Sequence, residues 1–191
     1  MVVTASEVKA FFEEVASDWD TMRLAYYDER VIETLREQIE LDGSQTVLDV
    51  GTGTGFVAAG LAPHARKILA FDHSPAMLAV ARQNLVQLGI DNVELSEADL
   101  AKLPLADGSV DAAVANMVLH HALDPAAMLR EMARVTRPGG WVAITDEVEH
   151  RYEWMRDEHA DVWLGFQEDQ VQGFFGSARL VKYGHAPLGS Q

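Results

Sequence analysis

Val47-Leu48-Asp49-Val50-Gly51-Thr52-Gly53-Thr54-Gly55 is the stretch on which the reading of this chain turns. Residues 46–50 form a short apolar run, the pattern of a buried strand. Three glycines alternate directly after it and predict a tight turn whose backbone closely approaches a ligand. Pro63 closes the helix entered from that turn. Going forward, residues 67–71 read as a second apolar strand ending at Asp72. Ser74-Pro75 then supplies an N-cap and a first-turn proline for the next helix. Met77, Leu78, Ala81, Leu85 and Leu88 share one face of that helix, and Gly89 stops it. Strands are expected at 93–96, 110–115 and 141–145. Before the last of these, Asp124-Pro125 caps a helix that turns Met128, Leu129, Met132 and Val135 inward, and Pro138-Gly139-Gly140 makes a turn. Going backward, residues 6–40 read as helical, with Val31, Ile32, Leu35 and Ile39 recurring before Asp42-Gly43 ends the run.

Strands alternating with helices predict βαβ units and a parallel sheet, hence an α/β fold. In such sheets the crossovers are right-handed, and ligands sit outside the carboxyl ends of the strands where strand order reverses. Topology alone therefore puts Asp49, the glycine loop, Asp72, Asp99 and Asn116 along one rim. The loop is not a dinucleotide fingerprint, because G-x-G-x-x-G counted from Gly51 needs a glycine where Phe56 stands. An alternating loop suits a cofactor without a pyrophosphate. Asp72 is placed to accept two hydrogen bonds from ribose hydroxyls, or to cap the helix after it. Asp99 either accepts from the exocyclic amine of adenine, with the Leu100 N–H donating to the ring, or is an ordinary loop aspartate.

A length of 191 residues predicts one domain, and 48% hydrophobic content is enough for a sizeable core. The net charge of -15, with no clustered basic patch, would repel a phosphate backbone, so nucleic acid is not an expected partner. The absence of cysteine excludes a disulfide framework, cysteine metal clusters and thiol nucleophiles. Neither a signal peptide nor an apolar run of roughly 18 residues is read, so no membrane partner and a cytoplasmic location are expected.

Taken in order, these stretches resemble a known family. Residues 47–55 resemble motif I of the class I S-adenosylmethionine (SAM)-dependent methyltransferases. Phe71-Asp72-His73-Ser74-Pro75-Ala76-Met77-Leu78 is similar to the segment after that motif. Glu97-Ala98-Asp99-Leu100, Leu103-Pro104 and Asp107-Gly108-Ser109-Val110-Asp111 resemble motif II of the type 11 subgroup. Leu119-His120-His121 and Arg137-Pro138-Gly139-Gly140 complete its pattern. The resemblance covers about residues 45–146. It implies a Rossmann-like three-layer sandwich with N-terminal helices. It also implies SAM as cofactor, S-adenosylhomocysteine as product and a small-molecule acceptor. By the same resemblance Asp49 and the backbone of Gly51, Thr52, Gly53 and Gly55 hold the methionine ammonium. Asp72 takes the ribose, and His73 is counted in the cofactor set. Asp99 and Leu100 read adenine, Met77 packs near its ring, and Asn116 lies below the methionine end.

A sulfonium methyl is already activated, so positioning supplies much of the acceleration. A general base is needed only if the acceptor must lose a proton. His120 and His121 are candidates for that base or for orienting the acceptor; the alternative is loop capping and helix packing. Asp146 ends the fifth strand and faces substrate or caps the next helix. Tyr26 and Tyr27 are candidates for a lid, because a phenol both packs and hydrogen-bonds. Residues 150–164 read as a helix whose His150, Trp154, His159 and Trp163 wall the acceptor pocket. No metal is expected, since His150, Glu158 and His159 lack tight ligand spacing. Missing thiolates set aside the arsenic methyltransferase branch of the family. The chain divides into an N-terminal helical lid over 1–44, a SAM-binding core over 45–146 and substrate-side elements over 147–191.

Proteins with this resemblance usually finish with a sixth strand and an antiparallel seventh inserted beside the fifth. Here 168–175 reads as a helix and Leu180-Val181-Lys182-Tyr183 as one strand, with no second apolar run, so the C-terminal strand pair is expected to be incomplete. The fifth strand would then show an unpaired edge, a template for another chain. A second copy, giving a homodimer, or the chain's own tail would cover it; a truncated, frayed end is the alternative. Two readings compete with methyl transfer: a SAM-binding module without turnover, and a nicotinamide oxidoreductase, which Phe56 opposes.

Overall fold

The computed structural model describes residues 3–185 and 188. Strands β1 (Thr46–Val50), β2 (Lys67–Asp72), β3 (Val93–Glu97), β4 (Val110–Asn116) and β5 (Thr136–Thr145) form one sheet in the order β3-β2-β1-β4-β5. Every neighbouring pair is parallel. Val50 stands opposite Phe71 on one side and Ala115 on the other, so the carboxyl ends of the three central strands lie level. The chain winds outward from β1 to β3 and then returns to β4 on the far side of β1. That reversal is the switch point where α/β sheets bind ligands.

Helices cover both faces. Val47 packs with Val31 and Leu35 of α3 (Arg30–Gln38) and Leu61 of α4 (Phe56–Leu61). Leu48 and Val50 point the other way, onto Met128, Leu129 and Met132 of α6 (Pro125–Val135). A strand buried on both faces has no polar side to show, which is why β1 and β4 read as largely apolar runs, interrupted within by Asp49 and Asp111. Between β2 and β3 runs α5 (Pro75–Leu88), opened by the Ser74 cap and closed by Gly89 at φ 68.

Four expectations change. Residues 6–40 are not one helical run but α1 (Ala5–Val15), α2 (Trp19–Met22), a 3-10 turn and α3. The bend before α2 lets Trp19 meet Phe12 edge to face at 5.4 Å, placing both rings over the rim. The helix expected over 150–164 shrinks to α7 (Trp154–Glu158). Ala160 turns left-handed at φ 58, and the chain then runs beside the end of β5. Phe166 N donates to Glu147 O at 3.0 Å and His150 N to Leu164 O at 3.0 Å, hydrogen bonds that a continued helix would forgo. Leu180-Val181-Lys182-Tyr183 is not a strand; it follows α8 (Glu168–Ser177), and Val181 is 95% exposed. Finally, β5 begins at Thr136, which pairs with Val110, and a register shift between Val110 and Ala112 absorbs the Pro138-Gly139-Gly140 turn. Among the described residues no strand pairs with the outer edge of β5. Leu188 packs against the cluster that contains Ala143 of β5.

Candidate active site

A cavity of about 630 Å³ opens over the carboxyl ends of the central strands, within the size range of small-molecule and cofactor pockets. Each strand end contributes to its wall. Asp49, Gly51, Thr52 and Gly53 come from β1 and its turn, and Asp72, His73 and Met77 from β2 and α5. Ala98, Asp99 and Leu100 follow β3, and Asn116 and His121 come with and after β4. Phe12, Trp19 and Tyr27 close the cavity from the N-terminal helices. Of the residues proposed for cofactor binding, Gly55 alone is off the wall. It caps α4 at φ 86 and faces Ala81.

The glycine loop has the backbone it needs. Gly51 and Gly53 sit at φ 71 and 55, and a Cβ on Gly51 would strike Val118 Cγ2. Gly51 N and Thr52 N donate to Phe71 O at 2.8 and 3.0 Å, which locks the loop to β2. Asp72 then braces both turns, accepting from Gly53 N at 2.8 Å and Ser74 N at 2.9 Å. It is therefore an almost buried structural anchor as well as a wall residue. Asp49 is 1% exposed. Burial pushes its carboxyl up to about 7 against the Thr52 hydroxyl, which donates to it at 2.7 Å. Burial also raises Asp72, while the Ser74 N–H, the neighbouring His73 and the Gly53 N–H oppose that rise. Two desolvated acids on one wall constitute a demand for a cation.

The N-terminal helices are fastened to this loop. Asp20 accepts from Thr54 Oγ1 at 2.7 Å and from Asn84 Nδ2 at 2.9 Å. The Arg23 guanidinium lies 3.9 Å from the Phe56 ring centroid, a cation–π contact.

The histidine pair is set by the ends of β4 and β5. Met117 turns the chain at φ 52, and Leu119–His121 form a single 3-10 turn. Asp146 catches that turn. Its carboxylate accepts from Leu119 N at 2.9 Å and, since a carboxylate only accepts, from His120 Nδ1 at 2.7 Å. Burial alone would depress His120, but the charge and hydrogen bond of Asp146, with Asp161, hold it up to about 9. His121 is pushed well below its ordinary value by burial and by His120 beside it. A smaller cleft adjoins the cavity and shares Trp19, Tyr27, Met117 and His121 with it. Phe11, Tyr26, His120, Glu147, Met155, His159 and Asp161 complete its wall, with Tyr26 Oη and His159 Nε2 at 3.2 Å.

Tyr27 lines both clefts and Tyr26 the smaller one. Asp146 stands behind His120. His150 is paired with Glu147 at 2.7 Å rather than lining either cleft. Trp154 is 47% exposed and meets His159 edge to face. Trp163 lies in the core and donates to Ala122 O at 2.9 Å. Asp20, Glu147 and Asp161 escaped sequence reasoning, because none belongs to a motif, and Asp20 and Asp161 meet their partners across long sequence separations. Phe12 sits beside Met77 in a small apolar cluster, which also puts it over the cavity.

Comparison with known proteins agrees with this geometry. A demethylmenaquinone methyltransferase of Clavibacter sepedonicus is 34% identical over 144 residues, 73% of this chain and 58% of that protein. The chain thus spans little more than half the length of this curated relative. The crystal structure of a SAM-dependent methyltransferase from Aquifex aeolicus superposes with a TM-score of 0.71 at 28% identity, covering 87% of each chain. The crystal structure of the cyclase SpnF gives a TM-score of 0.79 at 23% identity, over 93% of this chain and 73% of that one, and shares the fold. The model of the methyltransferase domain family matches residues 48–144. The chain accordingly belongs to that family, the type 11 subgroup of the class I SAM-dependent methyltransferases.

Proposed function

We propose that this protein binds SAM in the large cavity and transfers its methyl group to a small molecule seated in the adjoining cleft. The observation that carries this reading is the meeting of the glycine loop, Asp49, Asp72, Asp99 and Leu100 on one cavity wall. The residues fit the cofactor. Gly51 and Gly53 give a backbone cradle that side chains would fill, and the buried acids favour a cationic ligand. SAM supplies a methyl group on a positively charged sulfur. Asp49 and the loop backbone would hold its amino-acid end, Asp72 the ribose, Asp99 and Leu100 N the adenine, and Met77 would pack beside the ring. Met117 and His121 line both cavity and cleft, where the acceptor would approach, and Asn116 lines the cavity.

The chain's own contribution is positioning and exclusion of water. Phe12, Trp19 and Tyr27 roof the cavity with apolar surface, and the Asp20 latch holds that roof down. A dry site favours a reaction in which positive charge disperses. His120, held up to about 9 by Asp146, keeps its proton at neutral pH and orients the acceptor as a donor. His121 is neutral and is the ring that would accept a proton from an acceptor that must lose one. By this division residues 1–44 are the roof, 45–146 the donor-binding core and 147–191 the acceptor side.

Calorimetry with SAM, S-adenosylhomocysteine and NAD tests the reading. Binding of the first two and not the third is expected. Preference for NAD would overturn it. A labelled-methyl screen of metabolite extracts then finds the acceptor; SAM binding without any labelled product would leave a binding module instead. The demethylmenaquinone relative makes quinone-like small molecules a sensible first panel. Acidity disfavours nucleic acid as the acceptor. No helix among the described residues is long and apolar enough to cross a membrane, and we infer a cytoplasmic enzyme. We infer also that the outer edge of β5 pairs with a second copy to form a homodimer.

A further inference from the structure

Behind the histidine pair lies a buried group that methyl transfer leaves unused. Asp161 is 1% exposed, lines the small cleft, and its Oδ2 has no hydrogen-bond partner. A desolvated carboxylate oxygen left unpaired is costly, and natural cores keep one only where something compensates it. Its Oδ1 lies 3.8 Å from His120 Nε2 and 3.9 Å from His121 Nδ1. Those distances are too long for hydrogen bonds. They suit donors separated by a common ion, each ligand roughly 2.0–2.2 Å from it.

One donor atom from each of His120, His121 and Asp161 lies within 4.8 Å of the other two, and all three residues are buried. We propose that these residues bind a first-row divalent cation such as zinc. The surroundings are those of a built site. His120 Nδ1 donates to Asp146 at 2.7 Å, so its Nε2 is the atom that faces Asp161, and an ion bound there would take the place of the proton that this ring otherwise keeps. This carboxylate–histidine pairing fixes the tautomer and orients the ring of metal-ligating histidines. His121 Nδ1 donates to Ala160 O at 3.3 Å, a long hydrogen bond whose proton it would give up to ligate the ion. Three protein ligands leave a coordination position open, as catalytic rather than structural sites do. The small cleft beyond, walled by Tyr26 and His159, is where that position opens. The donor set is two imidazoles and one carboxylate, which suits zinc, iron or manganese rather than calcium or magnesium. Glu147 and His150 form a second donor group around the same Asp161. They are bound to each other at 2.7 Å and are less deeply buried, so the first set is the better-prepared one.

No sequence spacing announces these ligands. Two are adjacent and the third arrives from an irregular stretch after α7. The bound ion would stand beside the acceptor, where it polarises an oxygen; that last point rests on the function proposed above, whereas the binding itself does not.

The test is zinc titration of tag-free, chelator-stripped protein against a chromogenic chelator. Wild type is expected to take up one equivalent. His120→Gln and Asp161→Asn should each weaken zinc at least tenfold, and Asp146→Asn by roughly 10–100-fold, as loss of an outer-shell partner does. His150→Gln should leave zinc affinity unchanged. Calorimetry with SAM on Asp161→Asn separates the two ideas, because Asp161 is off the cofactor cavity and SAM affinity should persist. Wild-type protein that takes up no zinc overturns the proposal. So does loss of zinc with His150→Gln but not with His120→Gln, which would put the ion in the neighbouring donor group.

Discussion

At the scale of single residues, the place of Asp49 and Asp72 on the rim was legible because the topology of a parallel sheet brings strand ends together. Asp72 read as a ribose acceptor or a cap for the next helix, and it holds Ser74 N at the start of that helix; its grip on Gly53 N was not legible. Asp72→Ala should therefore weaken SAM and also destabilise the protein, by about 1–3 kcal/mol for the N–H groups left unpaired. Thermal unfolding without ligand shows the second effect; an unchanged melting temperature would return Asp72 to a purely ligand-binding role. Asp49 makes a prediction about pH. Its carboxyl rises from 3.8 to about 7 in the folded protein. A raised acid contributes stability that is full below the unfolded value and lost as pH rises through the folded one. So its contribution should fade between about pH 4 and 7 in the ligand-free protein. A cationic ligand prefers the ionised form, so SAM affinity should rise through that window, by up to about tenfold per pH unit below 7. Asp49→Asn should flatten the profile measured by calorimetry at pH 5.5 and 8. Asp161 shows the opposite limit of legibility: it has no motif, and folding alone brings it to the histidines.

At the scale of elements, periodicity located β1, β2, β4, α5 and α6 because each is buried along a regular face. It failed at 150–164, where apolar residues occur at helical spacing but the backbone pairs with the end of β5 instead. It failed also at 180–183, where strand-forming residues have no neighbouring strand to complete. The break in the N-terminal stretch was invisible for a different reason: Asp20 is fixed by Thr54 and Asn84, partners far along the chain. Asp20→Ala should free this latch. Hydrogen exchange across residues 5–27 should quicken, and SAM should bind more weakly, while residues 46–50 stay protected. Equal quickening in β1 would mean that Asp20 supports the whole fold rather than the roof. The meeting of α3 and α4 offers a sharper test. A Cβ on Gly60 would come within 2.8 Å of three Ile32 carbons. Gly60→Val should cost about 1–3 kcal/mol by overpacking, and adding Ile32→Ala should recover part of the lost melting temperature.

For the molecule as a whole, charge and exposed surface decide behaviour. The outer edge of β5 has no partner strand among the described residues, though residues 164–166 cover the stretch just past its end. Light scattering is expected to give the mass of two chains. Replacing Ile144 by Pro should shift it toward one: Thr145 O accepts from Met117 N and so faces β4, which leaves the Ile144 N–H on the outer edge, and proline removes that donor. A monomer in wild type would mean that the chain's own segments suffice. The net charge of -15 makes such association sensitive to ionic strength, and added salt should favour the dimer by screening repulsion between like-charged copies.

The roof over the glycine loop has one more consequence, an optical one. The indole nitrogen of Trp19 lies 3.7 Å from where a Gly53 Cβ would be. Of the four tryptophans in the chain, Trp19 alone lines the cavity; Trp141 and Trp154 face solvent and Trp163 is packed in the core. A ligand entering beneath it changes the surroundings of a single chromophore. The protein therefore carries its own fluorescent reporter, and the emission change on adding SAM should vanish in Trp19→Phe while remaining in Trp154→Phe.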